Sequence, residues 1–146
     1  MNNTERAVTC FRGGCNCAQA ILSTYSEALG LDRETALRIA AGFGGGMGRM
    51  GEVCGAVTGA FMVLGLHGGA ASAADAQAKE RTYTLVREFA NRFTARHGCL
   101  HCRQLLGCDL STPEGLQAAK DRQLFTTLCP KLVGDAAAIL EEMIVS

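Results

Sequence analysis

Cysteine is the residue with the greatest chemical potential in this chain, which has eight of them. Four are predicted to lie at or near the start of a helix: Cys17, Cys54, Cys102 and Cys129. At a helix start, free N–H groups and the helix dipole favour a thiolate and lower the pKa of the thiol. A thiolate is the form that binds metal or attacks a disulfide. A helical bundle can direct several helix starts to one point, so we predict that these four cysteines converge.

A second cysteine set competes with this prediction. Cys99 and Cys102 form a C-x-x-C pair, but the βαβ pattern expected of a thioredoxin-type motif is missing. Haem attachment would need histidine after the second cysteine, where the chain has Arg103. A zinc site that combines this pair with Cys15 and Cys17 remains open.

Positive charge surrounds the C-x-x-C pair. These side chains could stabilise thiolates, or they could form the solvated face and C-terminal complement of a long helix. The two histidines are also possible metal ligands. The residues concerned are Arg92, Arg96, His97, His101 and Arg103.

A glycine-rich loop, residues 42–51, precedes Cys54 and contains a literal G-x-G-x-x-G match. The dinucleotide fingerprint also requires a strand before the loop, and none is predicted. The alternative is that the glycines adopt positive φ and let backbones approach closely. Gly46, Gly48 and Arg49 are candidate cofactor contacts. Arg49 could offset negative charge near Cys54, or form a surface ion pair with Glu52.

The elements that must position these residues are predicted to be helices. Strand patterns are nearly absent, whereas N-caps and 3.6-residue apolar stripes recur. We predict an all-α, compact single-domain bundle of six to eight helices over residues 1–146, with a central Gly/Ala-rich helix at about 52–66. Gly51, Gly55 and Gly59 would give that helix one smooth face for a neighbouring helix. Predicted N-caps are Thr4, Asn16, Asp32, Ser72 and Thr112, with a short helix at 102–106 and a last helix after Pro130.

Charge and hydropathy exclude several classes of function. Fourteen Lys and Arg balance fourteen Asp and Glu, which argues against nucleic-acid binding and a polybasic membrane surface. The longest apolar run, residues 53–66, is shorter than the roughly 20 residues that span a bilayer. No secretory signal is visible at the N-terminus, so a cytoplasmic location is expected. A homodimer is also expected, because the apolar content is high and the glycine face could accept a second helix.

Five short motifs resemble the C_GCAxxG_C_C family of redox proteins. They are N-C-A-Q at 16–19, G-G-G-M-G at 44–48, C-G-A-V-T-G at 54–59, C-R-Q-L-L-G at 102–107 and C-P-K-L-V at 129–133. The resemblance implies a small helical protein whose signature cysteines are Cys17, Cys54, Cys102 and Cys129.

Two kinds of function remain open. In the first, a redox protein uses these cysteines as iron–sulfur ligands or as a dithiol/disulfide couple, with a redox protein or small thiol as partner. An iron–sulfur cluster is plausible because a related domain in some multi-part cytochromes is associated with one. In the second, the protein is a non-enzymatic structural zinc or metal-carrying module. Four further cysteines lie outside the signature: Cys10, Cys15, Cys99 and Cys108.

Overall fold

The computed structural model describes residues 1–145. Their regular structure is helical, with eight α-helices of five or more residues and one of four. Across these residues the extended pairing is a single isolated antiparallel bridge between Val53 and His101. The all-α prediction is confirmed. The helices are α1 Asn3–Arg12, α2 Cys17–Ser26, α3 Arg33–Ala40, α4 Gly55–Gly68, α5 Ala76–His97, α6 Cys102–Leu106, α7 Pro113–Asp121, the short α8 Leu124–Thr127 and α9 Cys129–Leu140.

Three of the predicted N-caps are confirmed. Each side chain accepts a hydrogen bond from the backbone N–H three residues later, which satisfies a donor that the helix leaves free. Asn16 also forms a full capping box with Gln19. The three caps are Asn16 on α2, Asp32 on α3 and Thr112 on α7.

Two other predicted caps were wrong. Asn2 caps α1 through a capping box with Glu5, so Thr4 already lies within the helix. Asp75 caps α5 by accepting from the backbone N–H of Ala78. Ser72 instead accepts from the N–H of Ala74, within the turn that precedes the helix. Asparagine is a stronger N-cap than threonine, whereas serine and aspartate cap about equally well, so the turn at Ser72 decides the start of α5.

The central helix α4 begins three residues later than predicted, because residues 51–54 pair with residues 100–103. The Cys54 N–H donates to the Leu100 carbonyl at 2.8 Å, and the Cys102 N–H donates to the Glu52 carbonyl at 2.7 Å. These bonds hold Glu52 and Val53 outside the helix. Cys54 is therefore the N-cap residue of α4 rather than a member of its first turn.

Helix α4 is central and packs tightly against α2. Its residues 55–60 are all buried. A Cβ added to Gly59 would lie 2.9 Å from the Ala18 carbonyl oxygen, and one added to Gly55 would lie 2.9 Å from the Ala18 nitrogen. The predicted smooth face therefore accepts a helix of the same chain, whereas Gly51 lies in the loop before α4. The homodimer stays a prediction and needs a different surface.

The remaining core is formed mainly by α5 and α9. Phe89 and Phe93 of α5 stack with ring centroids 6.2 Å apart. Ile139 and Leu140 of α9 are fully buried in the same cluster. Within residues 1–145, none of the helices combines the length and apolarity needed to cross a membrane.

Candidate functional site

Four helix starts bring cysteines to one cavity. Cys17, Cys102 and Cys129 are the first residues of α2, α6 and α9, and Cys54 is the N-cap of α4. All four line the same cavity, which has a volume of about 790 Å³. We call this group the four-cysteine site. Its residues are the four cysteines that were predicted to lie at or near helix starts.

The pairing of residues 51–54 with 100–103 fixes Cys54 and Cys102 relative to each other. The hydrogen bonds join the segments immediately before α4 and α6, and so they fix the starts of the two helices next to each other. The glycine loop packs against this junction. A Cβ on Gly46 would lie 2.6 Å from the Glu52 nitrogen and 2.8 Å from the Cys102 Cβ. Only glycine fits there, and its absence of a side chain lets the loop lie against Cys102.

The glycine loop is a left-handed turn. Residues 45–49 all have positive φ, between 59° and 70°, including the non-glycine residues Met47 and Arg49. Left-handed backbone costs non-glycine residues about 1–2 kcal/mol each. Hydrogen bonds between residues six positions apart close the turn. The Gly48 N–H donates to the Gly42 carbonyl at 2.9 Å, and the Glu52 N–H donates to the Gly46 carbonyl at 3.0 Å. The strained turn places Arg49 in the cavity wall.

The loop does not have the structural context of a dinucleotide-binding site. A 3₁₀ segment, Ala41–Phe43, leads into it where the dinucleotide fingerprint requires a strand. Gly46, Gly48 and Arg49 nevertheless all line the cavity. Their contact with a cofactor stays a prediction.

Within the four-cysteine site, Cys17 and Cys54 have opposite acid–base character. Hydrogen bonds with the thiols of Cys129 and Cys54, together with burial, hold the pKa of Cys17 well above the ordinary value. The hydrogen bond from Cys17 lowers the pKa of Cys54, and the backbone N–H groups of Ala56 and Val57 lower it further, against the opposing effect of burial. Cys54 is therefore the favoured thiolate and Cys17 its protonated neighbour.

Cys102 shows why the four helix starts do not all produce thiolates. Burial raises its pKa to about 12, and negative charge at Cys54 and Cys129 adds to the shift. The expectation that every helix start lowers the pKa of its cysteine was wrong for Cys17 and Cys102. Thiols that share a buried site cannot all ionise, because each new thiolate is repelled by those already present. This repulsion exceeds the helix-dipole effect, which is worth about 0.3–1 kcal/mol at exposed sites.

The cavity is apolar but has positive charge at its wall. Arg12, Arg49 and Lys120 line it, and the lining contains no Asp or Glu in the described part of the chain. None of these three cations is in an ion pair with a residue described here. The volume lies within the roughly 300–1,000 Å³ that is typical of small-molecule sites. The cavity is thus suited to a small ligand that carries negative charge.

The competing zinc set is only partly brought together. Cys15, Cys17 and Cys102 line the cavity, but Cys99 does not. Across residues 1–145, no three side chains of His, Cys, Asp or Glu are grouped as a metal ion would require. An iron–sulfur cluster or a zinc ion held by Cys17, Cys54, Cys102 and Cys129 stays a prediction.

The structure also pairs two cysteines that the sequence did not connect. The Sγ atoms of Cys10 and Cys15 are 2.9 Å apart. Burial raises the pKa of Cys15 to about 11, and its contact with Cys10 adds to this. A signal was present in the sequence: the two cysteines flank Gly13-Gly14, a turn that can fold a helix end back on itself.

The positive charges near the C-x-x-C pair form structural contacts. Arg92 and Arg96 both pair with Glu142, at 3.1 and 2.6 Å. His97 Nε2 lies 2.9 Å from a carboxylate oxygen of Asp135. Arg103 donates to the Met50 carbonyl at 3.0 Å. Neither these side chains nor His101 line the cavity. Arg92 and Arg96 agree with a solvated helix face, whereas His97 is only 10% exposed and packs against the Phe93 ring.

Comparison with known proteins identifies the family. A family model described as "Putative redox-active protein (C_GCAxxG_C_C)" matches residues 15–143. The chain belongs to this family. The C_GCAxxG_C_C match includes all of the four-cysteine site, whereas Cys10 lies before it. Searches of curated proteins and of solved structures each found no match.

Proposed function

We propose that the protein is a thiol–disulfide redox protein whose working couple is Cys17 and Cys54. One observation carries this proposal: Cys17 and Cys54 line the same cavity and lie close together, since a Cβ on Gly55, the residue after Cys54, would be 3.1 Å from the Cys17 Cβ. The neighbouring Cys17 thiol also lowers the pKa of Cys54. Thiol–disulfide exchange uses a thiolate to attack and a second thiol to complete the new disulfide. The family description supports redox activity at a coarser level.

The chemical step is an exchange with a substrate disulfide, RS–SR. The Cys54 thiolate attacks one sulfur, the S–S bond breaks, and RS⁻ leaves with the electron pair. Cys17 then attacks the Cys54 sulfur of the mixed disulfide, and its proton goes to the second RS group, which leaves as RSH. The substrate disulfide is reduced to two thiols, and the two protein thiols are oxidised to one disulfide. A reducing cytoplasm would supply the thiols that reverse the reaction.

The charge of the cavity favours an anionic substrate. Arg12, Arg49 and Lys120 would attract carboxylates, with no lining carboxylate among residues 1–145 to oppose them. The cavity volume suits a peptide-sized thiol better than a protein surface. We infer that the exchange partner is a small thiol or disulfide bearing carboxylates, with glutathione as a suitable probe.

The test compares small disulfides of different charge on the reduced protein. Oxidised glutathione is anionic, bis(2-hydroxyethyl) disulfide is neutral and cystamine is cationic. We expect oxidised glutathione to oxidise the Cys17/Cys54 couple fastest at low salt. That advantage should fall severalfold in an Arg49→Gln/Lys120→Gln variant, because attraction by the cavity wall is reduced. Rapid mixing, acid quenching, alkylation and peptide mapping of Cys17 and Cys54 give the rates.

Controls separate the couple from the other cysteines. Cys54→Ser should abolish the fast oxidation of Cys17, whereas Cys99→Ser should leave it unchanged, because Cys99 is half-buried and outside the cavity lining. Equal rates for the three disulfides would overturn the anionic substrate. Undiminished oxidation of Cys17 in Cys54→Ser would overturn the proposed couple. Cys129→Ser tests the alternative partner, since Cys129 also neighbours Cys17: loss of Cys17 oxidation in this variant but not in Cys54→Ser would overturn the proposed couple.

A further inference from the structure

We propose that Cys10 and Cys15 form a second dithiol/disulfide couple, which reacts with small disulfides independently of the four-cysteine site. Two cysteine thiols in contact, both partly accessible, have the arrangement that a redox-active dithiol needs. This site goes beyond the proposed function and does not rest on it. Cys10 also lies outside the segment that matches the family.

The backbone fixes the two cysteines next to each other. Cys10 lies in the last turn of α1, and Gly13 and Gly14 turn the chain back toward it. The Gly13 N–H donates to the carbonyls of Thr9 and Cys10, at 2.9 and 3.2 Å, and the Cys15 N–H donates to the Cys10 carbonyl at 3.3 Å. The Sγ atoms come to 2.9 Å. Closure to the bonded distance of about 2.05 Å then needs only a small movement of the side chains.

The surroundings of Cys10 favour its thiolate. The Arg33 guanidinium lies 3.9 Å from the Cys10 sulfur, and the Ser23 hydroxyl lies 3.7 Å from it. Burial opposes ionisation, but hydrogen bonds from Cys15, Ser23 and Arg33 outweigh it, so the pKa of Cys10 lies below its ordinary value. Both cysteines are half-buried, so a small disulfide can reach them.

The reaction has the same balance as any thiol–disulfide exchange. The Cys10 thiolate attacks one sulfur of the substrate disulfide, and the first thiolate leaves. Cys15 attacks the Cys10 sulfur of the mixed disulfide, transfers its proton to the second leaving sulfur, and releases a thiol. The co-reactant is a low-molecular-weight disulfide, which is reduced to two thiols as the two cysteines become one disulfide.

Peptide mapping of the full chain tests the couple. The reduced protein is incubated with oxidised glutathione, quenched in acid, alkylated and digested with trypsin. Cleavage after Arg12 separates residues 7–12, with Cys10, from residues 13–33, with Cys15 and Cys17. We expect these peptides to be joined by a disulfide, and fragmentation at Asn16 to locate the bond on Cys15.

Three variants make the result specific. Cys15→Ser should leave Cys10 trapped as a mixed disulfide with glutathione, because no second thiol is present to displace it. Cys17→Ser should retain the Cys10–Cys15 link, since the couple does not use the four-cysteine site. Arg33→Gln should slow alkylation of Cys10 severalfold at neutral pH. Cys99→Ser is the matched control, because Cys99 is also half-buried but is paired with no thiol.

The outcomes are distinct from those of the proposed function. A Cys10–Cys15 link in the wild type and in Cys17→Ser supports the couple, whatever happens at Cys54. Loss of the link in Cys17→Ser, or a bond located on Cys17, overturns it. If Cys17 and Cys54 are oxidised while Cys10 and Cys15 both remain alkylated, the couple is wrong and the proposed function stands.

Discussion

At the four-cysteine site, Cys54 forms a thiolate more readily than Cys17 or Cys102, and the neighbouring thiols influence its pKa. Cys17 stabilises it by donating a hydrogen bond. Cys102 responds in the opposite sense, because burial and nearby thiolates raise its pKa to about 12. The different pKa shifts of Cys17, Cys54 and Cys102 follow from the closeness of the sulfurs and give cysteines of one type different chemical roles.

A pH profile of alkylation tests the lowered pKa of Cys54. Cys54 should reach half of its maximal rate with iodoacetamide below the ordinary pKa of a thiol, because only the thiolate reacts. In Cys17→Ala the donated hydrogen bond is lost, so the Cys54 profile should move to higher pH. Peptide mass spectrometry after timed alkylation measures the rate at each pH.

Cys99→Ala serves as the control and should leave the Cys54 profile in place. The contribution of Cys17 would be refuted by a Cys54 profile that does not move in Cys17→Ala. A profile centred above the ordinary thiol pKa in the wild type would contradict the lowered pKa itself.

Among the secondary-structure elements, the contact of α2 with α4 requires glycine at position 59 of α4 but not at position 65. Gly59 and Gly65 both lie in α4. A Cβ on Gly59 would be 2.9 Å from the Ala18 carbonyl oxygen, whereas a Cβ on Gly65 would meet nothing within 4 Å. Substitution by alanine should therefore have opposite effects on stability at the two positions.

Gly59→Ala should lower the free energy of unfolding by about 1–3 kcal/mol, because the added methyl overpacks the interface. Gly65→Ala should raise it by about 0.5–1 kcal/mol, because alanine loses less backbone freedom on folding. Urea denaturation followed by circular dichroism measures both values. Equal effects of the two substitutions would show that the α2–α4 contact does not depend on Gly59.

The helices were predictable from local signals, since Asn16, Asp32 and Thr112 cap helices whose first turns follow directly in sequence. The later start of α4 was not, because it depends on pairing with residues 100–103, which are distant in the chain. The short α8, after left-handed Gln123, also lacks a capping signal.

The four cysteines of the site could be selected from the sequence because helix starts carry a recognisable pattern. Their unequal pKa shifts could not, because these depend on distances between residues far apart in the chain. Cys10 was missed for a related reason, since it lies at the end of a helix and not at a start. Its pairing with Cys15 depends on the turn at Gly13-Gly14.

For the whole molecule, the fold combines four helix starts, a strained glycine loop and a positively charged cavity wall. The helices bring together cysteines that are up to 112 positions apart, Cys17 and Cys129. The loop supplies Arg49, and α1 and α7 supply Arg12 and Lys120. Chemistry at this cavity therefore depends on the complete fold, and unfolding should remove the difference between Cys54 and an ordinary thiol.

Mapping of the disulfide at Cys17 tests the central claim most directly. Native protein prepared without oxygen is equilibrated with oxidised glutathione, alkylated, digested with trypsin and analysed by mass spectrometry. We predict a bond from Cys17 in residues 13–33 to Cys54 in residues 50–79, which is lost after unfolding in urea under the same redox conditions. It is contradicted if Cys17 and Cys54 are both fully alkylated in the native protein, or if Cys17 is joined instead to Cys129 in residues 123–131.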